Sequence, residues 1–220
     1  MQHKVKTGAR TLSGLALALA VGAGLTACGD STTDAGSSGS QAEVSTTEHN
    51  DADVTFATEM IQHHAQALSM VDLTLDRPLD PEVQALAEGI RDAQAPEIET
   101  MADWLTKWGE TVPATMRDHV NSGHEMGDLS DTTGGVDGMD PGDEMPGMMT
   151  LADLDVLENA SDEEFQDMWL QMMVEHHEGA IEMAEAEQAD GQFKDAVDLA
   201  GQIIDAQKEE VVTMNDLFES

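Results

Sequence analysis

The sequence predicts an all-α fold, a four-helix bundle made of two duplicated αα-hairpins. Apolar residues recur in steps of three and four over long stretches, which is the spacing of a helix with one buried face. The phrase MIQHHAQALSM at 60–70 returns as MVEHHEGAIEM at 173–183. With a constant offset of 113 and no gap, 53–107 and 166–220 share 15 identical residues in 55 positions. Two helix–turn–helix units in tandem pack most simply as a four-helix bundle.

The first hairpin is predicted at 53–109. In its first helix Phe56, Met60, His63, Ala67 and Met70 follow helical steps and form one stripe. The break DRPLDP follows, and the second helix is predicted from Pro81 to about Trp108 because proline suits the first helical position. An interior proline removes a hydrogen bond and kinks a helix. The apolar pattern continues through Pro96, so we expect the helix to bend near Ala95 and not to be replaced by a loop.

A Met-rich loop is predicted at 110–150, where Gly, Asp and Pro dominate. It contains Met126, Met139, Met145, Met148 and Met149. We expect these methionines to be exposed to solvent, either as ligands for soft cations or as part of a loop that tolerates them. The second hairpin, 151–220, begins with a short helix (LADLDVLENA), continues in a long helix to about Ala189 and ends in a helix from about Phe193 to Phe218.

The N-terminus has the features of an export signal. A basic segment precedes the apolar stretch TLSGLALALAVGAG, which is short for a membrane span, and LTAC at 25–28 resembles a bacterial lipobox. Cys28 is the only cysteine. Residues 1–28 are therefore predicted to be a lipoprotein signal peptide with lipidation at Cys28, the alternative being an ordinary cleaved signal. Residues 29–52, rich in Ser, Thr and Gly, are predicted to be a flexible tether, which gives a protein exported and lipid-anchored on the extracytoplasmic face of the cell membrane.

The charge balance excludes nucleic acid as a partner. The chain has 45 acidic and 9 basic residues, a net charge of −36. Such a polyanion repels nucleic acid and anionic membrane surfaces and attracts cations. Solubility, or adaptation to a salty medium, explains the charge equally well. The sequence identifies no protein partner.

The duplicated histidine pairs predict a metal site. Apolar stripes do not require histidine, and a buried imidazole without a partner is costly. Imidazole and thioether together, in a chain without other thiols, suit copper. The candidate ligands are the histidines His63, His64, His176 and His177, the methionines Met60, Met70, Met101, Met173, Met183 and Met214, and the carboxylates Glu97 and Glu210. Each of the two glutamates completes a Cu(II) site or orients a histidine.

Two other interpretations remain open. A Met stripe at helical spacing is often only core, and the His pairs then form a polar lock in a structural or interaction bundle of the cell envelope. A copper-dependent redox enzyme is a weaker alternative, since no catalytic motif is evident and we predict no enzymatic activity. Di-iron bundles use the motif Glu-x-x-His. Here the residue three positions after Glu59 is Gln62, and the residue three positions after Glu175 is Glu178. We therefore do not expect a di-iron site.

The segments FATEMIQHHAQALSMVDL, IRDAQAPEIETMADWLTKWG and MVEHHEGAIEMA resemble the bacterial domain of unknown function 305 family, over about 53–220. The resemblance implies a ferritin-like bundle, an exported or lipid-anchored location and, for some members, copper binding. Besides the candidate ligands it implies a role for Gln94 and Gln207. The first copy departs from the family pattern at Pro96 and at Gln66, where the second copy has Gly179.

Overall fold

The computed structural model describes residues 44–117 and 145–218 and consists of α-helices. The five helices are α1 (Asp51–Asp72), α2 (Pro81–Trp108), α3 (Leu151–Glu158), α4 (Asp162–Asp190) and α5 (Lys194–Phe218). The predicted all-α fold is confirmed. The predicted signal peptide with Cys28, most of the predicted tether, Met126 and Met139 lie outside the described residues.

Local chemistry fixes the helix ends. Asn50 begins α1 with a capping box, in which its side chain accepts hydrogen bonds from the Ala52 and Asp53 amides. Pro81 occupies the first turn of α2, as predicted, and Gly109 ends that helix with φ of 82°. The helix is unbroken at Pro96.

The long helices pack in pairs. Within the hairpins α1 packs on α2 and α4 packs on α5, and across them α1 meets α4 and α2 meets α5. The Trp169 indole N–H donates to the Met70 carbonyl over 3.0 Å, which joins α4 to the end of α1. None of the helices in 44–117 and 145–218 combines the length and apolar content that crossing a bilayer requires.

Two apolar clusters make up the core. The first apolar cluster contains Phe56, Ala57, Met60, Ile61, Met101, Trp104, Leu105, Ala180, Met183, Ala184, Ala196, Ala200, Ile203 and Ile204. The second apolar cluster contains Ala67, Met70, Val71, Val83, Ala87, Ile90, Met149, Leu154, Leu157, Phe165, Trp169, Leu170, Met173 and Met214. In all four long helices, the residues of one cluster are separated from those of the other by polar residues.

We call those polar residues the central layer. Its members are His63, His64, Gln94, Glu97, His176, His177, Gln207 and Glu210. All except the two glutamates are buried. The bundle therefore has a polar layer in its middle with apolar packing above and below it.

The last part of the predicted tether lies against the bundle. The Ser45 amide donates to the Gln192 carbonyl and the Lys194 amide donates to the Ser45 carbonyl, both over 2.7 Å. The His49 ring stacks on Trp108 with centroids 4.4 Å apart. Residues 44–50 are thus held at the turn between α4 and α5.

Candidate metal centre

His63 and His176 meet at the centre of the bundle. Their ring centroids are 3.8 Å apart, the rings are tilted by 44°, and both side chains are buried. The two residues are equivalent under the offset of 113, so the duplicated motifs face each other. The two copies therefore contribute to one shared layer.

The other histidine of each pair is held by a carboxylate. His64 Nε2 lies 2.8 Å from Glu97 Oε2, and His177 Nε2 lies 2.8 Å from Glu210 Oε2. Each histidine is fully buried, whereas each glutamate side chain is 21% exposed. A carboxylate accepts a hydrogen bond, so the N–H is on Nε2 and the lone pair is on Nδ1. Both Nδ1 atoms are buried without a hydrogen-bond partner.

His63 has the same tautomer for a different reason. Its Nε2 lies 3.0 Å from the Pro146 carbonyl oxygen, which only accepts, and its Nδ1 is buried without a partner. Burial, and after it the neighbouring His64, lowers the pKa of His63 to about 3. Burial, followed by the proximity of His63, also lowers the pKa of His176 well below its usual value. Both rings are neutral at pH 7, the form that ligates metals.

The six candidate methionines divide between the two apolar clusters in a crossed arrangement. Met60 and Met101 of the first hairpin share the first apolar cluster with Met183 of the second. The equivalent set, Met173, Met214 and Met70, lies in the second apolar cluster. Each apolar cluster therefore contains one copy of each motif methionine. The central layer lies between two sets of three thioethers.

A short segment covers one side of the centre. This strap, residues 145–150, supplies the Pro146 carbonyl to His63. The Gln66 amide clamps the strap by donating to the Met149 carbonyl over 2.9 Å and accepting from the Met149 amide over 2.7 Å. A Cβ at residue 179 would lie 2.1 Å from the Pro146 oxygen, so only glycine fits there. Gln66 and Gly179 occupy equivalent positions in the two motif copies, and both contact the strap.

The strap corrects one sequence prediction. The expectation that Met148 and Met149 are exposed, as ligands for soft cations or as part of a tolerant loop, is wrong: both are buried, and Met149 belongs to the second apolar cluster. The clamp to Gln66 and the space above Gly179 allow the chain to lie against the bundle here. Met145 is partly buried.

The prediction of candidate ligands from the residues alone missed two glutamines. Gln94 and Gln207 occupy equivalent positions and are buried. Both amide atoms of Gln94 and the Oε1 atom of Gln207 have no hydrogen-bond partner. The repeat already contained the signal, since both glutamines are identical across the copies and lie three residues before Glu97 and Glu210.

The central layer concentrates unsatisfied polar atoms. They are His63 Nδ1, His64 Nδ1, Gln94 Nε2, Gln94 Oε1, His176 Nδ1, His176 Nε2, His177 Nδ1 and Gln207 Oε1. Native proteins leave few such atoms, and each costs about 1–3 kcal/mol. Across 44–117 and 145–218, no three His, Cys, Asp or Glu side chains form a ready-made metal cluster. A metal here would therefore take thioether or amide ligands beside the imidazoles, or draw the rings together.

Comparison with known protein families gives a match over residues 53–218, to the family described as domain of unknown function, DUF305. The chain belongs to the DUF305 family. The family resemblance seen in the sequence is therefore confirmed. No curated protein matches the chain in sequence.

Solved structures of the same fold include family members. A DUF305 protein from Streptomyces coelicolor, provisionally described as secreted, is 29% identical with a TM-score of 0.60, covering 76% of this chain and 91% of that one. A DUF305 fragment from Deinococcus radiodurans is 26% identical with a TM-score of 0.59, covering 77% and 97%. CopM in its Cu(II)-bound form is 25% identical with a TM-score of 0.58, covering 76% and 95%.

Proposed function

We propose that this DUF305 protein binds copper in its central layer and serves to buffer, sequester or deliver the ion outside the cytoplasm, held to the membrane by lipid on Cys28. The role is one of binding, without catalysis. The observation that carries the proposal is the set of eight buried polar atoms without partners, gathered around the His63–His176 contact.

The donor set favours a soft or borderline metal. The layer offers neutral imidazole nitrogens with their lone pairs inward, and the apolar clusters offer three thioethers on either side. Thioether ligands select Cu(I), and imidazole binds either oxidation state of copper. Glu97 and Glu210 accept hydrogen bonds from His64 and His177. A carboxylate in this position orients a ligating ring and raises its basicity. The fold shared with CopM, which has been solved with Cu(II) bound, agrees with this choice of metal.

A structural role for the histidines is the second candidate. The His64–Glu97 and His177–Glu210 pairs alone would make a satisfactory polar lock between helices. The lock does not account for His176, whose two ring nitrogens are buried without a hydrogen-bond partner. A bundle that needed only a lock would gain from an apolar residue at that position.

An anaerobic Cu(I) competition titration tests the proposal. The variant His63→Ala/His176→Ala removes two proposed ligands. Loss of a residue that only orients a ligand lowers metal affinity about 10- to 100-fold, so loss of two ligands should lower it at least about 100-fold. The matched control is His49→Ala, a histidine outside the layer that stacks on Trp108. A second control, Met126→Leu/Met139→Leu, tests the Met-rich loop as the ligand source. Unchanged binding in the double histidine variant, with loss in the loop variant, would overturn the proposal.

A further inference from the structure

An acidic groove lies between α1 and α4, with a volume of about 380 Å³. Five carboxylate side chains line it: Asp51, Glu59, Glu182, Glu187 and Asp190. Its lining contains no Lys, Arg or His. The two helices are joined at one end of the groove, where the Asn50 side chain at the start of α1 donates to the Asp190 carbonyl at the end of α4.

Glu187 gives the groove more than surface charge. Only 2% of this residue is exposed, and neither carboxyl oxygen has a hydrogen-bond partner. The neighbouring Asp53 carboxylate already accepts from the backbone amides of Asn50, Gln192 and Phe193. Burial, and after it Asp53, raises the pKa of Glu187 to about 9. A buried carboxyl group beside a second acid is favourable only with a proton, which Glu187 then shares with Asp53, or with a cation in the proton's place.

The groove adjoins the candidate metal centre. Its inner wall contains Pro146, whose carbonyl accepts from His63, and Met183, which belongs to the first apolar cluster. Met183 is 8% exposed, whereas the other five motif methionines are fully buried. Its counterpart Met70 is fully buried, and Trp169 donates to the Met70 carbonyl. The groove therefore meets the donor set at the one motif methionine that reaches the surface.

We propose that this groove captures hydrated divalent cations and is the access route by which copper reaches the central layer. The access route rests on the copper function proposed above, whereas the capture of cations does not. Since the described carboxylates form no ready-made cluster, the captured ion keeps part of its water shell. The groove then acts by raising the local cation concentration at Met183 and Pro146.

Two measurements test the two halves separately. Mn²⁺, which prefers oxygen ligands, serves as a paramagnetic probe of capture. At substoichiometric Mn²⁺, the amide resonances of Ala52 and Ala186 in the groove should broaden before that of Gly89 on α2. Glu182→Gln and Glu182→Gln/Glu187→Gln should abolish this preference. Because Glu187 is protonated at neutral pH, both variants lose one charge, and the exposed single variant Glu99→Gln, with the same charge change, should keep it. Uniform broadening of the amide resonances over the whole surface would overturn capture, whether or not copper binds.

The second measurement follows Cu(II) association by stopped flow at low ionic strength. The groove double variant should associate about 3- to 10-fold more slowly, with unchanged stoichiometry, because it loses local steering charge. An equal drop in the charge-matched control Glu99→Gln would attribute the effect to net charge and overturn the access route. If the wild-type protein bound no copper, the proposed function would fail, while the Mn²⁺ result would still decide whether the groove captures cations.

Discussion

Gly179 lies directly beneath the carbonyl of Pro146, so close that a Cβ at residue 179 would be 2.1 Å from the Pro146 oxygen. That same oxygen accepts a hydrogen bond from His63. A small residue on α4 therefore determines where a candidate ligand on α1 finds its partner. The strap is the element through which the two are connected.

Replacing Gly179 with alanine should displace the strap. The new methyl group would clash with backbone atoms of Pro146 and Gly147, which cannot rotate away as a side chain does. We expect a loss of about 1–3 kcal/mol in the free energy of unfolding, measured by chemical denaturation, and a changed affinity for copper.

The control for this substitution is Gly89→Ala on α2. An added Cβ there meets nothing within 4 Å, so alanine should raise stability by about 0.5–1 kcal/mol. If both substitutions had the same effect, the close fit of the strap would have no energetic consequence.

The carboxylates of the layer should tune copper affinity equally. Glu97→Gln keeps an oxygen that accepts from His64 but removes the negative charge, so affinity should fall about 10- to 100-fold in the competition titration. Glu210→Gln should give a similar loss, since the two pairs have the same 2.8 Å distance. The exposed Glu99→Gln on the same helix serves as control. A loss in only one of the two variants would mean that the copies do not share the site.

Histidines of the layer should differ in their effect on the metal-free protein. His176→Leu removes two unsatisfied nitrogens with little change in volume, so stability without metal should stay level or rise by about 1–3 kcal/mol. His177→Leu instead leaves Glu210 without its partner and should destabilise the fold. Thermal unfolding of the two variants, measured with a chelator present, distinguishes these results. A strongly destabilised His176→Leu protein would support the polar lock.

Stability should fall as the pH is lowered below about 6.5. Unfolded His63 takes up a proton near its ordinary value of 6.5, but the folded protein does so only near 3. The unfolded state therefore binds more protons in this window, and each such histidine costs up to about 1.4 kcal/mol per pH unit.

Glu187 opposes this trend. Its pKa is raised to about 9 in the folded state, so its contribution is full below about 4.5 and is lost as the pH rises to 9. Denaturation midpoints between pH 7 and 5 should therefore fall more steeply in Glu187→Gln than in the wild type. Their slope should flatten in His176→Leu. Midpoints that did not depend on pH in Glu187→Gln would contradict neutral, buried histidines.

The sequence predicted those features that depend on local periodicity and on the duplication. The helix from Pro81 to Trp108 through Pro96, and the short helix at Leu151–Glu158, agree with the structure. The expectation that Glu97 and Glu210 orient a histidine agrees with the 2.8 Å contacts to His64 and His177. Each of these results needs only one hairpin and its repeat.

Sequence patterns did not predict the features that depend on how the two hairpins pack against each other. Met70 packs with Met173 and Met214 of the other hairpin, and no helical wheel shows that exchange. The strap was read as exposed loop because its composition is polar, whereas its position depends on Gln66 and on the missing side chain at Gly179. Contacts of this kind arise from residues far apart in the chain.

Anomalous diffraction at the copper edge, from crystals of the copper-loaded protein, tests the central claim most directly. We predict an anomalous peak within the central layer, about 2.0–2.3 Å from at least one imidazole nitrogen and a further nitrogen or thioether ligand, distances usual for a metal bound by such atoms. Copper found only at surface carboxylates or at the methionines of 118–144, with the His63–Pro146 and His64–Glu97 contacts unchanged, would contradict it.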